Sequence, residues 1–499
     1  MFYYSEMINI KQAAWLITLY VLYCSLTGCS VQPSTKQATT PYIESKCHSY
    51  LTEQYHQLSQ QHTMDQQTQP VPQYPYVRIN RLLASYIYTL DTGPRRTAWL
   101  AQAYQETNKA WEIDVANLPK SYQTLHAQKI DSCLQQTFSK LVDNDQFFSA
   151  LREFRYPDAY ISWRQWAGLY PLTQYFLVPG IAAWHEEASQ QFNQSSVTTL
   201  KNTVIYPPEQ KVPSATSLST DTIQSWFRHA YQNNALQLPL LRPEQLEKLF
   251  YHYAPVWSIQ KQGDYDTPGE VVLTPQPTVS NQPVTYTLTS MTRFHGKALL
   301  QLNYIIWFKE RPASSILDIY SGNLDGVIWR VTLTEKGKPL IFDSIHTCGC
   351  YHTFFPLSER LQTKQVTNQL EPPLIIPIDL PKTSHPARWA ISISSAEHHI
   401  TGIQPLELDT TAAKADKAYT LQSYNQLRSL PLPSGERKSL FDEEFGIVST
   451  TERAERWILW PSGVPSPGAM RQWGNHATLF IGQRHFDDPY LLSQLFRWR

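Results

Sequence analysis

Apolar positions recur at helical spacing from about residue 43 to Pro255 and at strand spacing after it, so the chain reads as two halves. Ala98, Leu100, Ala101, Tyr104 and Ala110-Trp111 fall on one helix face, and Leu125, Ile130, Cys133, Leu134 and Phe138 on another. Phe147, Phe148, Leu151 and Phe154 predict a third, short helix that closes before Pro157. From Tyr160 to Trp184 the chain is strongly apolar, with Trp163, Trp166, Tyr170, Tyr175 and Phe176, and it breaks at Pro171, Pro179 and Gly180. This segment is expected to be the packing heart of the helical half; lining a groove is the alternative. The polar stretch Asn193–Ser219, with Pro207, Pro208 and Pro213, predicts a long surface loop. Helices follow over Thr220–Asn233 and Pro243–Tyr253, the second opening on Pro243 and Glu244, which suit a first turn.

After Pro255, Val284–Ser290 alternates, and Leu299–Phe308 is apolar at nearly every position, the mark of a strand covered on both faces. Asp325–Leu333 and Pro339–Thr347 flank Glu335-Lys336-Gly337-Lys338 and predict a β-hairpin. Arg388–Ser394 and Ile400–Leu406 predict a second pair; a short strand over Thr478–Gly482 and a helix from near Pro489 end the chain. The expected fold class is α+β and multidomain: a helical domain over residues 43–255, then a mainly β domain over 256–499. A chain of 499 residues exceeds one ordinary core.

The region before residue 43 has a different pattern. An apolar run from Ala13 to Leu26 follows Lys11. It has the length of a secretory h-region and falls short of the roughly 20 residues that a membrane span needs. It ends in Leu26-Thr27-Gly28-Cys29, which resembles the lipobox of bacterial lipoproteins. That resemblance implies a signal peptide over residues 1–28, starting at Met1 or Met7, and lipid, palmitate included, on Cys29. Ser30, where Asp would stand otherwise, implies the outer membrane, with the protein facing the periplasm. Ser, Thr, Gln and Pro then make residues 29–42 a tether.

Composition narrows the partners. Forty-two basic residues balance 42 acidic ones, and no basic stripe stands out, so a nucleic-acid reader is excluded. In an oxidising compartment the cysteines left after Cys24 and Cys29 are Cys47, Cys133, Cys348 and Cys350. Their simplest pairing joins Cys47 to Cys133 and leaves the close pair to itself.

The densest reactive run is His346-Thr347-Cys348-Gly349-Cys350-Tyr351-His352. Extended, its side chains are too far apart for one ion; a turn at Gly349 would gather them, with His295, His476 or His485 completing a zinc or copper site. One residue between cysteines matches neither a zinc nor a haem motif. The same residues suit a Cys348–Cys350 redox pair, or a structural hairpin end with buried thiols and imidazoles. Asp264, Asp266, Glu270, Asp318, Asp325 and Asp442-Glu443-Glu444 hold carboxylates for glycoside hydrolysis, if two lie at the right separation. Phosphate-loop and nucleophile-elbow signatures are absent from the sequence.

Segments Arg293–Pro312, Asp325–His352 and Gly468–Pro489 resemble uncharacterised proteobacterial envelope proteins, which implies a compartment and no chemistry. The expected function is an envelope binding or scaffold role with aromatic-rich helices as the partner surface. The membrane would be reached through Cys29, and the partner would be an envelope protein or polysaccharide. The alternatives are a metal-dependent hydrolase at the His/Cys run and a periplasmic thiol–disulfide exchanger at Cys348 and Cys350.

Overall fold

The helical spacing of the N-terminal half produces α1 (Lys46–Gln60), α2 (Gly93–Ala116), α3 (Ala127–Leu141) and α4 (Asp145–Glu153), then α5 (Val178–Gln194), α6 (Thr220–Gln232) and α7 (Pro243–Tyr253). This computed structural model describes residues 46–123, 127–194, 202–209, 218–232, 234–357, 361–364, 372–379, 388–406, 417–478 and 483–498. The expected signal peptide, Cys29 and the expected tether lie outside the described residues. Helix α2 buries Trp99, Leu100, Ala103, Thr107, Ala110 and Trp111, a stripe at spacings of three and four. It packs on the hairpin of β1 (Gln69–Val71) and β2 (Tyr74–Ile79), where the Trp111 indole donates to the Tyr76 carbonyl at 3.1 Å. Asn144 caps α4 by accepting from the Phe147 amide at 2.9 Å. The Cys47–Cys133 disulfide ties α1 to α3, the pairing expected.

The second half is built from strands: β3 (Thr203–Tyr206), β4 (Val256–Gln260), β5 (Val284–Phe294), β6 (Lys297–Arg311), β7 (Gly322–Leu333), β8 (Pro339–His346) and β9 (Thr353–Pro356), followed by β10 (Leu374–Ile375), β11 (Arg388–Ile393), β12 (Ile400–Leu406) and β13 (Thr420–Ser423). Seven form one sheet in the order β10-β9-β8-β7-β6-β5-β13, and four a second in the order β12-β11-β4-β3. The hairpin around Gly337 and the β11–β12 pair are antiparallel where the pattern placed them.

Strand β6 is apolar throughout because each of its faces meets a core. Leu302, Tyr304, Ile306 and Phe308 join Trp257, Trp329, Phe342 and Trp389 between the sheets, with Phe227 of α6 and Leu249 of α7. Ile305 and Trp307 point the other way, into a cluster covered by Tyr424, Phe441, Met470, Trp473 and Phe486. Period-two alternation places consecutive residues in different cores.

The fold is mixed α+β, helical in the N-terminal region and mostly strands in the C-terminal region. The expected boundary at residue 255 falls inside one compact unit, Ser45–Arg499. Strand β3, in a stretch expected to be surface loop, pairs with β4 across it, and the Tyr253 hydroxyl donates to the Gly337 carbonyl at 2.7 Å. A second expectation is corrected in the aromatic segment. Trp163, Trp166, Leu169, Leu172, Tyr175 and Phe176 are exposed, Trp166 at 80% and Phe176 at 85%. Short helices, Ser162–Ala167 and Tyr170–Thr173, and the 3-10 turn Gln174–Phe176 carry most of these side chains outward, and none of the three buries any residue.

Candidate functional site

The turn expected at Gly349 forms. Its φ of +91° sits in the left-handed region, and a Cβ there would meet the Ala477 carbonyl oxygen at 2.9 Å, so glycine is required twice over. The turn does not gather a metal site. The two thiols hydrogen-bond each other, which lowers Cys348 and, with burial, pushes Cys350 up. Both are only 2% exposed, in the core with Met470 and Trp473. His352 is fully buried and bonded to Asp343 at 2.8 Å, and Asp343 also takes a two-pronged contact from Arg330 at 3.0 and 2.6 Å. Burial opposes the charge on Asp343; Arg330 and His352 outweigh it and hold the carboxyl below its usual range. His476 bonds the Thr347 carbonyl at 3.0 Å. His485 rests against Tyr160 and Asp158, and His295 sits at a hairpin turn between Phe294 and Trp498. Among the described residues no group of three or more His, Cys, Asp or Glu is placed to hold a metal ion, so the expected zinc or copper site is not assembled.

His346 takes part in a different arrangement. It lies 3.7 Å from Asp325, which accepts from His398 at 2.8 Å; the far side of His398 is 3.5 Å from Asp266. Two of the carboxylates singled out from the sequence are thus bridged by a buried imidazole instead of facing a substrate. Burial opposes charge on His398, but the two carboxylates outweigh it and raise its pKa. Asp325 is also buried, yet His346, His398 and Arg453 hold it well below the usual carboxylate range. The His398 backbone adopts φ +54°, a conformation sustained by this network.

His346 also lines a cavity of about 410 Å³ under α5, within the roughly 300–1,000 Å³ typical of ligand pockets. Trp184 of α5 meets Tyr351 at 5.2 Å between ring centroids, Tyr351 meets His399 at 4.5 Å, and His346 lies 5.0 and 5.3 Å from those two. Arg311, at the end of β6, reaches Glu397 at 3.2 Å and lies over the Tyr320 ring. Phe176, Tyr320 and Ile458 share the lining and are exposed, so they form the mouth. Tyr351 and Trp184 fall in stretches singled out by the sequence. Arg311 does so as well, within Arg293–Pro312, though nothing there marked the residue itself; Glu397 and His399 do not, and their one local signal is that they sit in the turn joining β11 to β12. No protein-family profile, curated protein or solved structure matches the chain.

The buried histidines set a pH dependence. Burial lowers His346, His352, His399 and His476, the last to about 3. Each is neutral when folded and takes a proton near pH 6.5 when unfolded, so its contribution is complete above that pH and is lost as pH falls toward the folded value. His398 has the opposite sign, its contribution being present below pH 6.5 and lost above its raised pKa. Urea titrations should therefore show lower stability at pH 5 than at pH 7.5, with about 2 kcal/mol of the difference from His476 alone. His476→Asn should flatten the profile; an unchanged pH slope in that variant would contradict the assignment.

Proposed function

We propose that the protein is an envelope lipoprotein, tethered to the outer membrane through acylated Cys29, that works by binding a partner protein and not by catalysis. The observation that carries the binding reading is an exposed apolar surface of Trp163, Trp166, Leu172 and Phe176 with Ile316, Leu317, Trp457 and Ile458. Its parts are joined: Gln165 donates to the Ser462 carbonyl at 2.9 Å, the Ile161 amide to Gly463 at 2.7 Å, and the Glu455 amide to Ile319 at 3.1 Å. Large contiguous apolar surfaces mark interaction sites. Sugars stack on flat rings alone, whereas this surface mixes rings with leucine and isoleucine, the composition of a protein interface core. The burial of Cys348 and Cys350 weighs against thiol exchange, which needs an accessible thiolate. The anchor rests on the lipobox resemblance.

One experiment addresses both parts. A photo-crosslinking residue at Trp166 or Trp457 should give a discrete protein adduct in cells, and one at exposed Glu247 should give none. Cys29→Ser should move the protein from the membrane to the soluble fraction. Equal adducts at all three positions would sink the binding surface; continued membrane retention would sink the anchor.

A further inference from the structure

The cavity beneath that surface has a composition of its own. Leu177, Ile181, Trp184, Leu374, Ile376 and Leu459 make most of its wall, and the polar groups are gathered at Arg311, Ser344, His346, Tyr351, Glu397 and His399, with Glu187 the other acid. Charge there is already matched. Arg311 is paired with Glu397, while Glu187 is exposed to solvent, where it accepts from Gln191 at 3.0 Å. Among the described residues, Nε2 of His399 is buried and makes no hydrogen bond, whereas Nδ1 of His346 already faces Asp325 at 3.7 Å. Burial holds the His399 imidazole neutral, so Nε2 can serve a ligand as donor or acceptor.

We propose that this cavity binds a single-chain amphiphile with an uncharged, hydrogen-bonding head, of the monoacylglycerol or long-chain alcohol class. The apolar wall along α5 takes the chain, and the unbonded Nε2 of His399 takes the hydroxyl or ester of the head. A carboxylate head would face Glu397 and Glu187 with the one lining guanidinium already neutralised. A quaternary ammonium head would have to lie beside Arg311. Either would be a desolvated charge without a free counter-charge, which is costly. The exposed mouth of Phe176, Tyr320 and Ile458 gives the chain an apolar route in. The inference rests on reading the protein as a binding protein but not on the identity of its protein partner.

The test uses the mature protein and N-phenyl-1-naphthylamine, a neutral dye that brightens in apolar sites. The dye should bind and be displaced by monolaurin about tenfold more readily than by laurate or dodecyltrimethylammonium, all below their micelle concentrations. Ala188→Trp should fill the cavity and abolish binding. Gly180→Phe should do the same independently, since a Cβ at Gly180 meets no atom within 4 Å and the change costs little in folding. His399→Phe should erase the preference for the uncharged head while leaving dye binding in place. Dye binding untouched by both filling variants, or laurate displacing it as well as monolaurin does, would overturn the proposal. Crosslinking at Trp166 reads the outer surface separately, so the two readings fail independently.

Discussion

Arg428→Met is expected to lower the unfolding free energy by about 3–5 kcal/mol, the range for breaking one side of a buried ion pair. The Arg428 side chain is 2% exposed and bonds Asp65 through two nitrogens at 2.5 and 3.1 Å. Beside this pair, Arg78 bonds Asp114 at 3.2 Å and the Asp65 and Thr68 carbonyls at 3.3 and 3.1 Å. Burial opposes the charge on Asp65, and Arg428 outweighs it, so Asp65 stays below the usual carboxylate range. Asp114 lacks a comparable two-pronged contact, and burial pushes it up to about 7. The stability that Asp65 contributes is present above the unfolded pKa near 4 and is lost as pH falls through its folded value. The variant's deficit should accordingly be largest at neutral pH and shrink in acid. Asp65→Asn added to Arg428→Met should recover part of the loss, because no unpaired buried charge remains. Urea denaturation at pH 7 gives the number; a deficit under about 1 kcal/mol would mean that water or a relaxed side chain compensates the carboxylate.

Opening the Cys47–Cys133 bridge should cost about 2–5 kcal/mol, the usual penalty for losing a native disulfide. The bridge closes a sequence separation of 86 residues, so the unfolded chain gains much conformational freedom when it is cut. Helix α1 buries Leu51, Gln54 and Leu58, a narrow stripe for a helix at the start of the described chain, and the bridge supplements it. The Cys47→Ser, Cys133→Ser variant should unfold at lower temperature than the oxidised protein and match the reduced one. Equal unfolding temperatures for oxidised and reduced protein would show that α1 docks without the bridge.

The elements legible in the sequence were those whose side-chain spacing is a local property. Helix α7 begins and ends where Pro243 and Tyr253 placed it, and β6 contains the whole apolar run. The Gly337 hairpin was equally plain, since Thr334 and Gly337 build the turn from within. What the spacing could not reveal was which apolar surface the rest of the chain covers. Trp163 and Trp166 look identical in sequence to Trp257 and Trp307, yet the latter are fully buried and the former face outward. Strand β3 was hidden among prolines and polar residues because its partner lies in β4, beyond two intervening helices. The Cys348-Gly349-Cys350 run marked the right turn, but ligand type alone did not show that Asp343, Asp325 and Thr347 would each claim a neighbouring imidazole. The cavity, too, is assembled from α5, the end of β6, the turn after β8 and the β11–β12 turn. A scan of adjacent residues cannot bring these together.

The contacts that join early and late parts of the chain also constrain the order of events in time. Asp65 waits for Arg428, the Gln66 amide for Gln472, and Arg81 for Asp487, at sequence separations of 363, 406 and 406. The first helices of the described chain therefore cannot reach their final environment while the polypeptide is still emerging, and must persist partly formed until its last residues arrive. Such late closure slows folding and leaves apolar segments open to wrong partners meanwhile. A chain cut short before residue 472 would lose more than its tail, because Gln66 and Arg81, at the other end of the sequence, would be left without their partners Gln472 and Asp487.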